Sequence, residues 1–160
     1  MNPELRILVV DDDRAIHEDI RRALTSPHEL DDDLQALERQ LFELDTELDE
    51  ASERFEVHSA FQGRDGAQQV RSEREQGRRY ALALVDMRMP PGWDGVRTAE
   101  AMLALDDELP IVFCTAYADA KLQLLTERLA PGRRIETLQK PFRAQQLRAL
   151  ALALARGRDA

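Results

Sequence analysis

Four short apolar runs in this chain end on polar residues. Asp11 and Asp12 follow Ile7-Leu8-Val9-Val10, and Asp86 follows Ala81-Leu82-Ala83-Leu84-Val85. Thr115 follows Ile111-Val112-Phe113-Cys114, and Lys140 follows Ile135-Glu136-Thr137-Leu138-Gln139, just before Pro141. Runs this short and this rich in Ile, Leu and Val read as buried strands rather than helices. In an open parallel sheet, ligands bind in the crevice beyond the carboxyl ends of the strands. If the four runs lie parallel, three carboxylates, one hydroxyl and one ammonium converge on a single rim. That set suits a divalent cation and a phosphoryl group.

The rest of the chain supplies the alternation that such a sheet needs. Leu5–Val10 is a predicted strand. The helix Arg14–Thr25 follows, with Ile16, Ile20, Ala23 and Leu24 on one face. Phe55–Ala60 alternates as a second strand, and Arg64–Gln76 is a polar helix closed by Gly77. Tyr80–Val85 is apolar on both faces, as a central strand should be. Asp94–Leu105 is a helix with Asp94 as its N-cap. Pro110–Cys114 is a strand, Ala118–Leu129 a helix, Ile135–Gln139 the fifth strand and Arg143–Ala155 the last helix. Right-handed crossovers between five such units place helices on both faces of a parallel sheet. The pattern predicts an α/β doubly wound fold but does not order the strands.

The chemistry available at the rim is phosphoryl transfer, which is mostly positioning and neutralisation of charge. A carboxylate is already ionised at neutral pH, so it attacks without a general base. Its obstacle is repulsion between two anions, which a hard cation held by oxygen ligands removes. The aspartates supply those ligands, Lys140 a point charge for a phosphoryl oxygen, and Thr115 a hydrogen bond.

The segments Ile7-Leu8-Val9-Val10-Asp11-Asp12-Asp13, Leu84-Val85-Asp86-Met87-Arg88-Met89-Pro90, Cys114-Thr115-Ala116 and Lys140-Pro141-Phe142 resemble the receiver domain of two-component response regulators. The likeness runs from about residue 5 to 155. It implies one receiver domain over 1–160, with its core at about 5–26 and 54–155. The implied fold is a flavodoxin-like five-stranded sheet of order 2-1-3-4-5, an arrangement commonly illustrated with a member of this same family. The resemblance also implies roles. Asp86 would accept a phosphoryl group from a histidine kinase or phosphotransfer protein. Asp12 and Asp86 would bind Mg²⁺ or Mn²⁺ directly, Asp11 largely through water, and the Arg88 carbonyl would complete the site. Thr115 and Lys140 would engage the phosphoryl group and report it. Arg88, Trp93 and Tyr117 would tune the chemistry. The domain would be a phosphoacceptor rather than an enzyme.

The chain departs from that pattern in three places. Thr137 stands where receivers usually carry an aromatic switch residue, so the resemblance does not extend to a rotating-aromatic readout. The loop Met89-Pro90-Pro91-Gly92-Trp93-Asp94-Gly95 is one residue longer than the common form, which leaves Trp93 either covering the site or anchoring the loop. The third departure is an acidic segment of about 27–52. It opens with the capping box Ser26-Pro27-His28-Glu29, and Leu30, Leu34, Leu37, Leu41, Leu44 and Leu48 then recur at heptad spacing.

Between Glu29 and Glu56 lie 12 acidic residues against Arg39 and Arg54, a local balance of -10, so the rest of the chain sums to +1 of the net -9. The acidity therefore belongs to this segment. A straight helix over it would be about 36 Å long, and four linking residues reach only about 14 Å back. The segment must fold back or lie across the domain. Leaving its leucine stripe in water costs about 1.5 kcal/mol or more per leucine, so the stripe is expected to pack against a symmetry mate, making a homodimer, or a partner helix. Packing on the chain's own helices is the alternative.

The same composition narrows the remaining classes. Without a basic stripe to release counterions, direct nucleic-acid binding is disfavoured. No run reaches the roughly 20 apolar residues of a membrane span, and no secretion signal opens the chain. The one cysteine, Cys114, ends a strand, which fits a buried structural thiol and a cytoplasmic location. His17, His28 and His58 lack metal-ligand spacing and read as structural or exposed. Asp13 reads as a helix cap. Two rivals stay open: a haloacid-dehalogenase-like phosphatase, with Asp11 as nucleophile but Ala15 where that family needs Thr, and a phosphorylation-independent scaffold. With little chain after the last helix, the domain is expected to act through protein contacts, alone or within a longer protein.

Overall fold

The computed structural model describes residues 4–25, 54–89, 92–116, 124, 127, 128 and 134–159. Its elements in chain order are β1 (Glu4–Val10), α1 (Arg14–Thr25), β2 (Arg54–Ala60), α2 (Gly63–Glu75), β3 (Leu82–Asp86), α3 (Gly95–Leu105), β4 (Ile111–Thr115), β5 (Ile135–Gln139) and α4 (Ala144–Asp159). The strands form one parallel sheet of order β2-β1-β3-β4-β5. This is the predicted flavodoxin-like arrangement. The inserted segment, 27–52 with its leucine stripe, lies outside the described residues, as do His28, Tyr117 and most of the helix expected at Ala118–Leu129.

The alternation of side chains along β1 divides the core in two. Leu5, Ile7 and Val9 face Ile20, Ala23 and Leu24 of α1 and Leu147, Ala151 and Leu154 of α4. Leu8 and Val10 face the other way, with Ala67 and Val70 of α2 and Ala99, Met102 and Leu103 of α3. Successive strand residues point to opposite faces, so a strand buried on both sides is apolar at every position. That accounts for the unbroken runs in β1, β3 and β4. The edge strand β5 has only Leu138 buried, which suits its polar Glu136, Thr137 and Gln139.

Local signals place the helices as the sequence predicts. Asp13 Oδ1 accepts the Ala15 amide at 3.0 Å, and Asp94 accepts the Arg97 amide at 2.8 Å. Each side chain satisfies an amide that the first helical turn leaves unpaired. Gly77 ends the α2 turn with φ +77, a conformation an L side chain rarely adopts. Four strand starts differ by a residue or two: β1 and β2 begin one residue earlier than expected, β3 two later and β4 one later. Pro110 has no amide to donate and contributes only its carbonyl, to Ala83 at 3.0 Å. Tyr80 precedes β3, and its hydroxyl meets His58 Nδ1 at 2.8 Å and donates to Gln69 Oε1 at 3.3 Å.

Leu82 and Leu8 are fully buried on opposite faces of the sheet. Leu82→Ala and Leu8→Ala are each expected to lower stability by about 2–5 kcal/mol, since the cavity adds to the lost transfer energy. Urea unfolding with an unchanged slope is the check.

Candidate functional site

Register brings the strand ends to one level. Val10 pairs with Val85, Asp86 with Cys114, and Thr115 with Gln139. The next residues therefore emerge along one rim, where carboxylate oxygens of Asp11, Asp12 and Asp86 lie within 4.8 Å of one another. Lys140 reaches back across them. Its ammonium donates to Asp11 Oδ2 at 2.9 Å and to Asp86 Oδ1 at 3.4 Å. The Lys140 amide donates to the Thr115 carbonyl at 2.7 Å, which ties the ends of β4 and β5 together. The Lys140-Pro141 peptide is cis.

Each member of the cluster is held differently. Asp11 is buried, and its amide donates to the Ala60 carbonyl at 3.1 Å. Its Oδ1 accepts the Asp13 amide at 2.9 Å, so both carboxylate oxygens are engaged. Asp12 is exposed. Asp86 shows 14% of its side chain to solvent against 3% for Asp11. The more open, less engaged carboxylate is Asp86, which does not favour Asp11 as a nucleophile. Behind Asp86, the Gly95 amide donates to the Met87 carbonyl at 3.0 Å. A Cβ at Gly95 would lie 2.6 Å from the Asp86 carbonyl oxygen. Gly95→Ala is therefore expected to cost about 1–3 kcal/mol, the usual range for overpacking, measured by urea unfolding.

The electrostatics follow from crowding like charges. Burial raises the Asp86 pKa above its ordinary value, and the negative charge of Asp11 adds to the effect, while Lys140 opposes it. Burial works against the Lys140 charge, but the hydrogen bond to Asp11 and the charges of both aspartates outweigh it, leaving its pKa above the ordinary value. Cys114 lies just behind the rim, and burial pushes its thiol up to about 12, so it stays protonated. A raised carboxylate pKa means that the ionised form destabilises the fold. That penalty is absent below the ordinary value of 3.8 and complete above the folded pKa. Asp86→Asn is accordingly expected to raise the melting temperature at pH 7 without divalent cations. The gain should fade as the pH falls toward 3.8, as scanning calorimetry across that range would record.

The structure brings Asp11, Asp12, Asp86 and Lys140 into one cluster and places Thr115, buried, at its border. Arg88 is exposed in the loop after β3. Trp93 packs with the apolar cluster of the α2–α3 face and carries the Arg97 guanidinium over its ring at 4.8 Å. Its contacts are those of a loop anchor. Thr137 is exposed on β5. His58 is half-buried and His17 buried. The sequence reading treated His17 as structural and missed that it binds the Asp11 carbonyl at 2.7 Å. Its place six residues after Asp11, on the inward side of α1, was the available signal. Three carboxylate donors without nitrogen or sulfur are the set a hard cation prefers, so the residues present fit Mg²⁺ or Mn²⁺. No helix among the described residues is long and apolar enough to cross a membrane.

Comparison with solved structures shows the same fold. The chemotaxis protein CheY4 of Vibrio cholerae superposes with a TM-score of 0.65 at 18% identity, over 95% of this chain and 99% of that one. A CheY-like response regulator receiver domain protein of Methanospirillum hungatei gives 0.67 at 20% identity, over 98% of both chains. A receiver domain protein of Clostridium thermocellum gives 0.67 at 19%, over 97% of both. No curated protein matches significantly. The family model described as the response regulator receiver domain matches residues 30–152. Asp11 and Asp12 precede that match, and the sheet carries them to Asp86. The chain belongs to the response regulator receiver domain family.

Proposed function

We propose that Asp86 is the phosphoacceptor of a two-component signalling pathway and takes its phosphoryl group from a histidine kinase or phosphotransfer protein. The observation that carries this reading is the cluster itself, in which the partly open Asp86 carboxylate stands beside two further carboxylates and a lysine. In the reaction an Asp86 oxygen forms a bond to phosphorus while the phosphorus–nitrogen bond of the donor phosphohistidine breaks. The electron pair leaves with the imidazole. Asp11, Asp12 and Asp86, with the Arg88 carbonyl, would hold Mg²⁺ or Mn²⁺, which neutralises charge between the two anions. Lys140 would supply a further positive charge beside Asp86, and the Thr115 hydroxyl would donate to a phosphoryl oxygen. Arg88, exposed in the loop after β3, would adjust the lifetime of the product, and the resemblance gives Trp93 and Tyr117 the same part.

A groove of about 440 Å³ runs beside Lys140, lined by Ile16, Ala23, Pro141 and Phe142. It gives a donor helix an apolar seat next to the acceptor. The chain acts by changing its contacts rather than by turning over a substrate, as one domain over 1–160 located in the cytoplasm. The heptad leucines Leu30 to Leu48 would give it a self-association surface.

Two measurements test this. Intact mass after incubation with acetyl phosphate and Mg²⁺ should show one added phosphoryl group, absent in Asp86→Asn and without Mg²⁺. No adduct on the wild-type chain under any condition would favour a scaffold. Light scattering should show a dimer that Leu37→Asp together with Leu41→Asp converts to monomer. A wild-type monomer would remove the self-association surface.

A further inference from the structure

His17 touches none of the three carboxylate groups, yet it holds the backbone from which two of them hang. The ring is buried on the inward side of α1. Nε2 lies 2.7 Å from the Asp11 carbonyl oxygen, and Nδ1 lies 2.9 Å from Ser59 Oγ near the end of β2. A carbonyl can only accept, so Nε2 carries the hydrogen. In the neutral ring, Nδ1 then accepts from the Ser59 hydroxyl. Arg21 donates to that same hydroxyl at 3.3 Å and to the Val57 carbonyl at 3.4 Å. Phe61 closes the other side of the ring, with centroids 4.5 Å apart. The imidazole is thus fixed by its own partners before it meets Asp11.

The Asp11 carbonyl belongs to the peptide unit whose other end is the Asp12 amide. That unit is planar, so a bond to the carbonyl sets the plane from which Asp12 departs. The Asp11 amide is held by Ala60, and its carboxylate by the Asp13 amide and Lys140. His17 is the side chain that holds the remaining polar group. Asp12 is exposed, so the packing around its own side chain does little to direct it.

We propose that His17 is a positioning residue for the carboxylate pair. By holding the Asp11 carbonyl on a ring anchored to Ser59, it fixes where Asp12 stands relative to Asp11 and Asp86, and with that the affinity of the rim for a divalent cation. The proposal rests on the reading of the three aspartates as metal ligands. Groups that orient metal ligands from behind are worth roughly 10- to 100-fold in affinity.

The test is calorimetric titration of the whole chain with Mg²⁺ and with Mn²⁺, for the wild type, His17→Leu, His17→Gln and Ser59→Ala. Urea unfolding is recorded for each. His17→Leu is expected to stay folded and to bind both cations roughly 10- to 100-fold more weakly. His17→Gln should recover most of the loss, because its amide nitrogen can donate in place of Nε2. A purely structural role would lower the unfolding midpoint of both variants and leave affinity at full folding unchanged. A wild type that binds while His17→Leu binds within about twofold of it overturns the role of His17 alone. A wild type that binds neither cation overturns the ligand reading and this inference with it. Should His17→Leu fail to fold, Ser59→Ala decides. It unlocks the ring without changing the packing of α1 and should give a smaller loss in the same direction, and unchanged affinity there overturns the proposal.

Discussion

A single ammonium set between two carboxylates makes the rim of this sheet tenable. Unit charges about 4 Å apart interact by about 4 kcal/mol at an effective dielectric near 20. Three aspartates gathered within 4.8 Å therefore repel one another, most strongly between the buried Asp11 and the partly buried Asp86, and least at the exposed Asp12, which solvent screens. Lys140 offsets part of that repulsion from a fixed origin, because its backbone is bonded to Thr115 on the neighbouring strand. The compensation is incomplete: burial first, and the charge of Asp11 after it, leave the Asp86 pKa raised despite Lys140. The site is built under electrostatic tension, in an oxygen-only cluster that could hold a hard cation.

The fold was largely legible because each apolar run reports its own burial. Strands covered on both faces are apolar in their buried stretches, as in β3, β4 and the Ile7–Val10 part of β1, which the polar Arg6 precedes. Capping aspartates marked α1 and α3 at the residues where those helices begin. The strand order was not in the pattern, since any permutation of buried parallel strands has the same periodicity. It came from the resemblance, and the pairing agrees with it. The starts of β3 and β4 fall a residue or two later than the hydropathy pattern indicates, and for β4 the reason is the missing amide of Pro110.

The candidate site was legible in its charged members, because each ends a recognisable strand. What stayed hidden was whatever works through the backbone. His17 carries no motif around it, and its bond runs to a main-chain oxygen whose identity the sequence does not encode. Gly95 carried no signal beyond its place in the loop before α3, yet it faces the carbonyl of Asp86 at a distance that excludes any side chain. Trp93 was read two ways, and its contacts with the α2–α3 face are those of the plainer one.

Lys140 and Asp11 touch across 129 residues of chain, and Lys140 and Asp86 across 54. Contacts so distant in sequence form only once the intervening sheet has closed, and closing such loops is the slow part of folding. The acidic rim therefore has no partial version. A nascent chain that has not yet delivered its last strand, or a fragment cut before it, carries the aspartates but not the cation that lets them coexist. The assembled rim thus doubles as a certificate of folding, since the ends of β1, β3 and β5 must meet before the cluster exists at all.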